Sequence, residues 1–415
     1  MKNEMKKALL IGINNTEFDN EIAELTLLCA ACNIEVIDTI SQNLSKPNPK
    51  YYLGPGKVDE IVNYLDSEED IDVIVSNDEL SASQIEHLEN KLDVTIYDRT
   101  FIILEIFRSR ARTKESQMQV DIATLHYQLP RLKGLRENLS RQGGGGINRG
   151  KGETQLELDK RVIEDKMNLL EHELKELTEE RKIQRMKRQK NNLPVVSLVG
   201  YTNSGKSTLM NTLLGLSNNQ KVVLTKDMLF ATLETTTRLV NVNNNFNFLL
   251  TDTVGFVSKL PHTLVEAFKS TLEEVKESDL LLEVVDGSNK NFEAQIAVTN
   301  KVLAEIGASN IPILYVINKM DKVDDYLYLP PIIENGIRIS ALDNNNISEL
   351  MIEIERLLES LYHFVTLHVP YENGNVVNLI KGRGQVLAVK YEETQVIEAK
   401  LDNYLYSYLA KYIVK

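Results

Sequence analysis

At 415 residues and 42% hydrophobic side chains, the chain is too long for one core and apolar enough to fill several, which excludes wholesale disorder and predicts two to four domains. Its formal net charge of −13 excludes a uniformly basic nucleic-acid binder, so local charge matters more than the sum. No stretch approaches the roughly 18 apolar residues that span a bilayer, and "MKNEMKKALLIGINN" lacks a signal-peptide apolar region, so a cytoplasmic protein is expected, with at most peripheral membrane contact.

In chain order, residues 7 to 100 alternate short apolar runs ("KALLIGI", "IEVIDTI", "IDVIVSN", "VTIYD") with amphipathic segments ("EIAELTLLCAACN", "VDEIVNYL", "SASQIEHLENKL"). That rhythm predicts a β/α domain over 1–112 with a mostly parallel sheet. Within it "YLGPGKVDEI" has neither P-loop nor dinucleotide-fingerprint spacing, and reads as a Gly and Pro turn that opens a helix. Cys29 and Cys32 form a C-x-x-C near the end of a helical pattern. A redox pair wants its first Cys at a helix N-terminus and zinc wants a second ligand pair, so ordinary helix packing is expected.

From 113 to 193 the pattern becomes two long helices, with Met118, Ile122, Leu125, Leu129 and Leu132 in the first and Leu156, Ile163, Met167, Leu170, Leu174 and Leu177 in the second. Between them "RQGGGGINRGKGET" nearly spells a phosphate loop, but helical patterns flank it where a strand should feed it, and Gly152 stands where the metal-binding hydroxyl belongs. It is read as the tip of an antiparallel helical hairpin, with Arg141, Gly143, Gly144, Gly145, Gly146, Arg149 and Lys151 as candidate RNA contacts. Residues 101 to 151 hold ten basic side chains (Arg108, Arg110, Arg112, Lys114, Arg131, Lys133, Arg136, Arg141, Arg149, Lys151) against four acidic ones. On an acidic chain this predicts a segregated basic arm for a phosphate backbone.

Residues 194–363 again alternate β and α in the order of a doubly wound, mostly parallel nucleotide-binding domain, and 364–415 read as a small α+β domain with a hairpin turn near Glu392 to Thr394 and a closing helix. The whole is an α/β multidomain protein. In "VVSLVGYTNSGKSTLMNTLLG" a strand runs into Gly200, Tyr201, Thr202, Asn203, Ser204, Gly205, Lys206, Ser207 and Thr208, and then a helix begins. Backbone amides at such a turn converge on a β-phosphate; Lys206 would reach the β- and γ-phosphates, and Ser207 would ligate Mg²⁺.

"TDTVGF" supplies Asp252, placed to hold magnesium through a water, then Thr253, Val254 and Gly255, whose amide can approach the γ-phosphate. "VINKMD" supplies Asn318, Lys319, Met320 and Asp321. The Asp321 carboxylate can accept from both the ring N–H and the exocyclic amine of guanine, a pairing adenine cannot make, so GTP is expected over ATP by a factor on the order of 10⁴. "ISAL" brings Ser340, Ala341 and Leu342 to the base pocket.

The intervening "FATLETTTR" must close a Thr over the metal, and Thr232, Thr235, Thr236 and Thr237 all qualify by spacing. Position 256, often a water-orienting Gln, is Phe256, so hydrolysis should be slow until a partner orders the site. Asn203 is a candidate for a potassium ion beside the phosphates.

With "GYTNSGKST", "FATLETTTR", "DTVGF", "NKMD" and the upstream "RQGGGGINRGKGETQLELDKR", the chain resembles the HflX family of ribosome-associated GTPases over essentially its full length. The resemblance implies a hairpin domain that contacts the large ribosomal subunit and its rRNA, and splitting or rescue of stalled ribosomes under stress. Hydrolysis would be stimulated by that subunit. It also selects Thr232 as the switch ligand, within Phe230, Ala231, Thr232, Leu233 and Glu234. The chain departs from the family pattern at Thr235, where many relatives carry Pro. A monomer that binds GTP and GDP and no DNA is expected. The competing readings are a GTP-dependent switch whose hairpin docks a protein or membrane partner, and an RNA remodelling factor with an ATP site in the N-terminal domain.

Overall fold

The computed structural model describes residues 5–67, 70–142, 149–189, 193–216, 236–243, 246–259, 264, 269–323, 333, 335–401 and 403–414, with the backbone alone for 133–142, 149–156, 180–189, 216, 242–243, 246, 269–271, 273, 381–383, 385 and 403. Contacts divide the chain into two compact units: Met1–Lys175 with Lys226–Glu234 and Gly255–Ser270, and Glu176–Thr225 with Thr235–Val254 and Thr271–Lys415.

In the first unit, strands β1 (Lys6–Ile13), β2 (Ile34–Gln42), β3 (Val73–Ser76) and β4 (Thr95–Asp98) alternate with helices α1 (Phe18–Ala31), α2 (Pro55–Ser67), α3 (Ala82–Leu92) and α4 (Arg99–Arg110). The sheet order is β2-β1-β3-β4, and every pairing is parallel. Parallel strands are covered on both faces, which is why Ala8, Leu9, Leu10 and Ile11 are all fully buried in an unbroken apolar run. Pro55 does open α2, where its missing N–H costs nothing. A reciprocal Ser81 and Gln84 capping box starts α3, and Asp93 ends it in the left-handed region. Cys29 is buried and Cys32 half-buried, and burial pushes both thiols up to about 12, which makes them inert packing groups.

Helices α5 (Lys114–Gln142) and α6 (Arg149–Gln189) follow. Met118, Ile122 and Leu125 are buried where α5 packs on α3 and α4, and Lys114 reaches Glu173 of α6 at 3.0 Å. Arg141 lies in the last turn of α5, and Arg149 and Lys151 lie in the first turn of α6. Gly143, Gly144, Gly145 and Gly146 fall outside the described residues, as do the side chains of Arg141, Arg149 and Lys151.

Some of the basic charge between 101 and 151 is paired within the unit. Arg108 pairs with Glu105 at 2.6 Å. Arg131 stacks on the Tyr127 ring at 3.3 Å and donates to the Leu80 carbonyl and the Asp98 carboxylate. A partly buried guanidinium holding a buried carboxylate is a structural pair, unavailable to a phosphate backbone.

The second unit holds β5 (Val195–Val199), α7 (Lys206–Leu216), β6 (Thr236–Asn243), β7 (Phe246–Asp252), β8 (Leu280–Asp286), α9 (Phe292–Glu305), β9 (Ile313–Asn318), β10 (Ile337–Arg338) and α10 (Ile347–Ser360); α8 (Lys269–Lys276) begins in the first unit and ends in the second. The strand order β10-β9-β8-β5-β7-β6 is parallel except for the β6/β7 edge pair. Leu280, Leu282 and Val284 of β8 point into the same apolar cluster as Leu209, Met210 and Leu213 of α7.

On the opposite face of β8, Glu283 is 1% exposed, and neither carboxylate oxygen has a hydrogen-bond partner among the described residues. Burial raises its pKa from 4.5 to about 8, while nearby Thr299 lowers it only partly because its hydroxyl donates to Gln295 O at 3.1 Å. The folded chain therefore keeps a proton that the unfolded chain loses above 4.5. Stability falls as pH rises from that point, and the loss is complete above about 8. Glu283→Gln, which mimics the protonated acid, should raise the thermal midpoint at pH 9 and much less at pH 5; the shift corresponds to a few kcal/mol. A midpoint difference that does not depend on pH would refute this account.

At the C-terminal end, β11 (His363–Val369), β12 (Gln385–Tyr391) and β13 (Gln395–Leu401) form an antiparallel sheet in the order β11-β13-β12. Helices α11 (Asn375–Arg383) and α12 (Asn403–Tyr408), with Leu409 just after the second, bury Val376, Ile380, Leu405 and Leu409 against it. The hairpin turns where expected, with Glu392 N donating to Thr394 O. The closing helix is shorter than its periodicity predicts, because Ile413 bridges to Leu367 and Val414 N donates to Thr366 O. The β-branched ends of "YIVK" pair with a strand edge and leave the helix.

Candidate functional site

The loop from β5 to α7 is built by two glycines no other residue could replace. Gly200 has φ +134°, and a Cβ there would sit 2.4 Å from the Val284 carbonyl; Gly205 has φ +97°, and its Cβ would meet Asn318 Nδ2 at 2.2 Å. Between them Asn203 takes the left-handed conformation at φ 59°. Tyr201, Thr202 and Ser204 are buried, and Thr208 lies in the first turn of α7.

Lys206 is 6% exposed and donates to the carbonyls of Gly200 (2.9 Å) and Tyr201 (2.7 Å). Burial lowers its pKa to about 8, against the opposing pull of Asp252. A buried ammonium with two neutral carbonyls for partners is an anion receptor. Ser204 Oγ is likewise buried with no partner among the described residues, so the concavity fits a phosphate.

Ser207 Oγ donates to Asp252 Oδ2 at 2.7 Å, bringing two hard oxygen donors from α7 and the end of β7 together, a set that suits Mg²⁺. Thr253 Oγ1 donates to Leu198 O at 2.6 Å and holds the "DTV" turn against β5. Val254 is buried.

At the end of β9, Asn318 ties three segments together: its Nδ2 donates to Ser204 O (2.9 Å) and its Oδ1 accepts from Ala341 N (3.0 Å). Ser340 Oγ donates to one oxygen of Asp321 at 2.7 Å and fixes the carboxylate plane. Met320 N donates to Ile339 O, which anchors the turn between them, whereas Leu342 is exposed. Residues more than a hundred positions apart thus meet beyond the ends of β5 and β9, where the Gly200–Ser207 turn, Asn318 and Ala341 are joined by hydrogen bonds.

Phe230, Ala231, Thr232, Leu233, Glu234 and Thr235 lie outside the described residues. Gly255 and Phe256 belong to the first unit, where Phe256 is buried. Within that unit Ser258 and Lys259 carry contacts no sequence signal announced. Ser258 Oγ donates to Glu24 at 2.6 Å and accepts from Arg99 at 2.9 Å; Lys259 donates to Glu21 (2.6 Å) and Asp78 (2.7 Å). Lys259 itself is left-handed at φ 53°.

Three family models match in succession: "GTP-binding GTPase N-terminal" over 19–108, "GTP-binding GTPase Middle Region" over 110–188, and "50S ribosome-binding GTPase" over 195–319. Among curated relatives, "GTPase HflX" of Caldanaerobacter subterraneus subsp. tengcongensis is 42% identical over 97% of this chain and 94% of its own. "GTPase HflX" of Escherichia coli is 36% identical over 89% and 87%. A solved structure of a GTP-binding protein from Sulfolobus solfataricus in complex with GDP is 29% identical over 86% of this chain and all of that one, with a TM-score of 0.44. The extent and level of identity to the curated relatives, together with the converging phosphate loop, show that this chain is a GTPase belonging to the HflX family.

Proposed function

We propose that this GTPase binds the large ribosomal subunit and couples GTP binding and hydrolysis to splitting or rescue of stalled ribosomes under stress. The observation that carries the reading is the match of residues 195–319 to the family described as 50S ribosome-binding GTPase. It is supported by the two long helices α5 and α6, which present the glycine-rich segment 143–148 between turns that carry Arg141, Arg149 and Lys151.

In this reading Gly200–Thr208 cradle the phosphates, Lys206 bonds the β- and γ-phosphates, and Ser207, Thr232 and, through a water, Asp252 hold Mg²⁺. Gly255 meets the γ-phosphate, and Asn203 holds a potassium ion beside it. Magnesium, when bound, neutralises charge on the transferred phosphoryl group. Asn318, Lys319, Asp321, Ser340 and Ala341 hold the base. Because Phe256 cannot orient water, the intrinsic rate is low and the ribosome completes the site.

Arg149→Ala combined with Lys151→Ala tests the hairpin contact. Co-sedimentation with large subunits in a non-hydrolysable GTP analogue should weaken by roughly tenfold, and the slope of log K against log salt should fall by about 2. GDP affinity should not change. Unaltered subunit binding, or a loss confined to nucleotide affinity, would rule the contact out.

A further inference from the structure

The carboxylate of Asp286, the last residue of β8, is committed on both sides. Oδ1 accepts from Ser288 N (3.0 Å) and Ser288 Oγ (2.6 Å), which closes a turn on itself. Oδ2 accepts from Lys319 Nζ at 2.8 Å. Both partners are largely buried, at 16% and 17% exposure, so this ion pair is screened less than a surface one.

The backbone locks the two strand ends together at the same point. Asp286 is the register partner of Asn318, and Gly287 N donates to Asn318 O at 2.9 Å. A Cβ on Gly287 would meet Ile317 Cγ2 at 2.8 Å and Asn318 O at 3.2 Å, so a larger residue would have to push the two strand ends apart or displace the Ile317 methyl. Lys319 follows in the left-handed conformation at φ 63°, which turns its side chain away from the line of β9. Its four-carbon stem therefore runs from the end of β9 to the end of β8, beside Asn318 and Asp321. Its charge also contributes, after burial, to lowering the pKa of Lys206.

We propose that Asp286 is a positioning residue: it holds Lys319 flat across the strand ends so that the lysine stem lines the base pocket, and it thereby sets nucleotide affinity without reading the base. A lysine without this partner would lose the geometry to the rotamer entropy of its long side chain. The proposal rests on the reading that Asn318 and Asp321 receive guanine, which base selectivity tests separately through Asp321.

The test is a double-mutant cycle on the full chain, with equilibrium affinities for GDP and inosine diphosphate measured by displacement of a fluorescent nucleotide. Asp286→Asn preserves an oxygen for the Ser288 turn but places an amide against the ammonium. It should raise the Kd for both nucleotides by the same factor, roughly tenfold, with the GDP to inosine diphosphate ratio unchanged. Added to Lys319→Ala, the same substitution should change Kd by less than about twofold. Asp286→Ala should reproduce the single-mutant loss, and the thermal midpoint of the nucleotide-free chain reports whether either variant is folded. An equal loss in the Lys319→Ala background would make Asp286 merely structural, and wild-type affinity in Asp286→Asn would overturn the proposal outright.

Discussion

Asp321→Asn should invert the base preference of this GTPase. Guanine offers two neighbouring donors, the ring N–H and the exocyclic amine, and a carboxylate accepts both. Ser340 Oγ already holds one Asp321 oxygen at 2.7 Å, so the carboxylate is oriented before a nucleotide arrives. An Asn side chain has one acceptor and one amino group, and the amino group would face a guanine donor. A site that hydrogen-bonds its ligand pays the full penalty for an unpaired group, so GDP affinity should fall by about 10²- to 10⁴-fold. Xanthine carries a carbonyl in place of the exocyclic amine and would accept from the new amide. Competition of GDP and xanthosine diphosphate for the same fluorescent nucleotide measures the inversion. If GDP binding stays within threefold of wild type, Asp321 does not read the base.

Asp98→Ala should largely unfold the first unit near physiological temperature. Asp98 is fully buried and its carboxylate serves four donors: Phe101 N (2.8 Å), Leu80 N (3.1 Å), Tyr127 OH (2.9 Å) and Arg131 Nη2 (2.9 Å). The first is the N-cap of α4, worth about 1 kcal/mol. The last is a partly buried charge pair; removing one partner strands the other, at a cost of about 3–5 kcal/mol. Together these approach the whole stability of a typical domain. The carboxylate also neighbours the Tyr127 phenol, whose pKa is raised by burial first and by Asp98 second, so the tyrosine stays a donor across the usable pH range. A thermal midpoint lowered by roughly 10–15 °C is expected for a unit of this size. A drop of less than about 3 °C would mean that Arg131 and Leu80 find other partners and that the network is not cooperative.

Much of the guanine-nucleotide site is legible in the linear chain because its chemistry depends on short-range geometry. Gly200, Gly205, Lys206 and Ser207 lie within one strand-loop-helix turn, and the positive φ of both glycines is a local steric requirement that the residue type advertises. Asp252 and Asn318 stand at strand ends that an apolar run of five to seven residues predicts without tertiary knowledge. The parallel sheets follow from the same alternation, as does the Pro55 helix start.

Contacts between distant segments were not legible, for a physical reason. Hydrophobic periodicity reports which face of an element is buried and is silent about which charged groups a neighbour supplies. Arg131 counts as a free cation in any tally along the chain, yet Asp98, 33 positions earlier, takes it. Nothing in "VSKLP" foretells that Ser258 and Lys259 join Glu24, Arg99, Glu21 and Asp78, because each is an ordinary surface residue until the chain reversals around it are set. The closing "NYLYSYLAKYIV" reads as helix by period, and Ala410–Tyr412 still form a 3-10 turn, but β11 offers an unpaired edge that Ile413 and Val414 take.

The sequence by itself therefore determined the reaction class, the nucleotide and the α/β multidomain plan, since these rest on local turns, strand ends and apolar periods. Only the tertiary structure decided how Asp286 comes to hold Lys319, that Glu283 is buried in a core, and which basic residues are spent inside the fold. Those outcomes depend on which groups lose their water together, and that is a property of the packed chain.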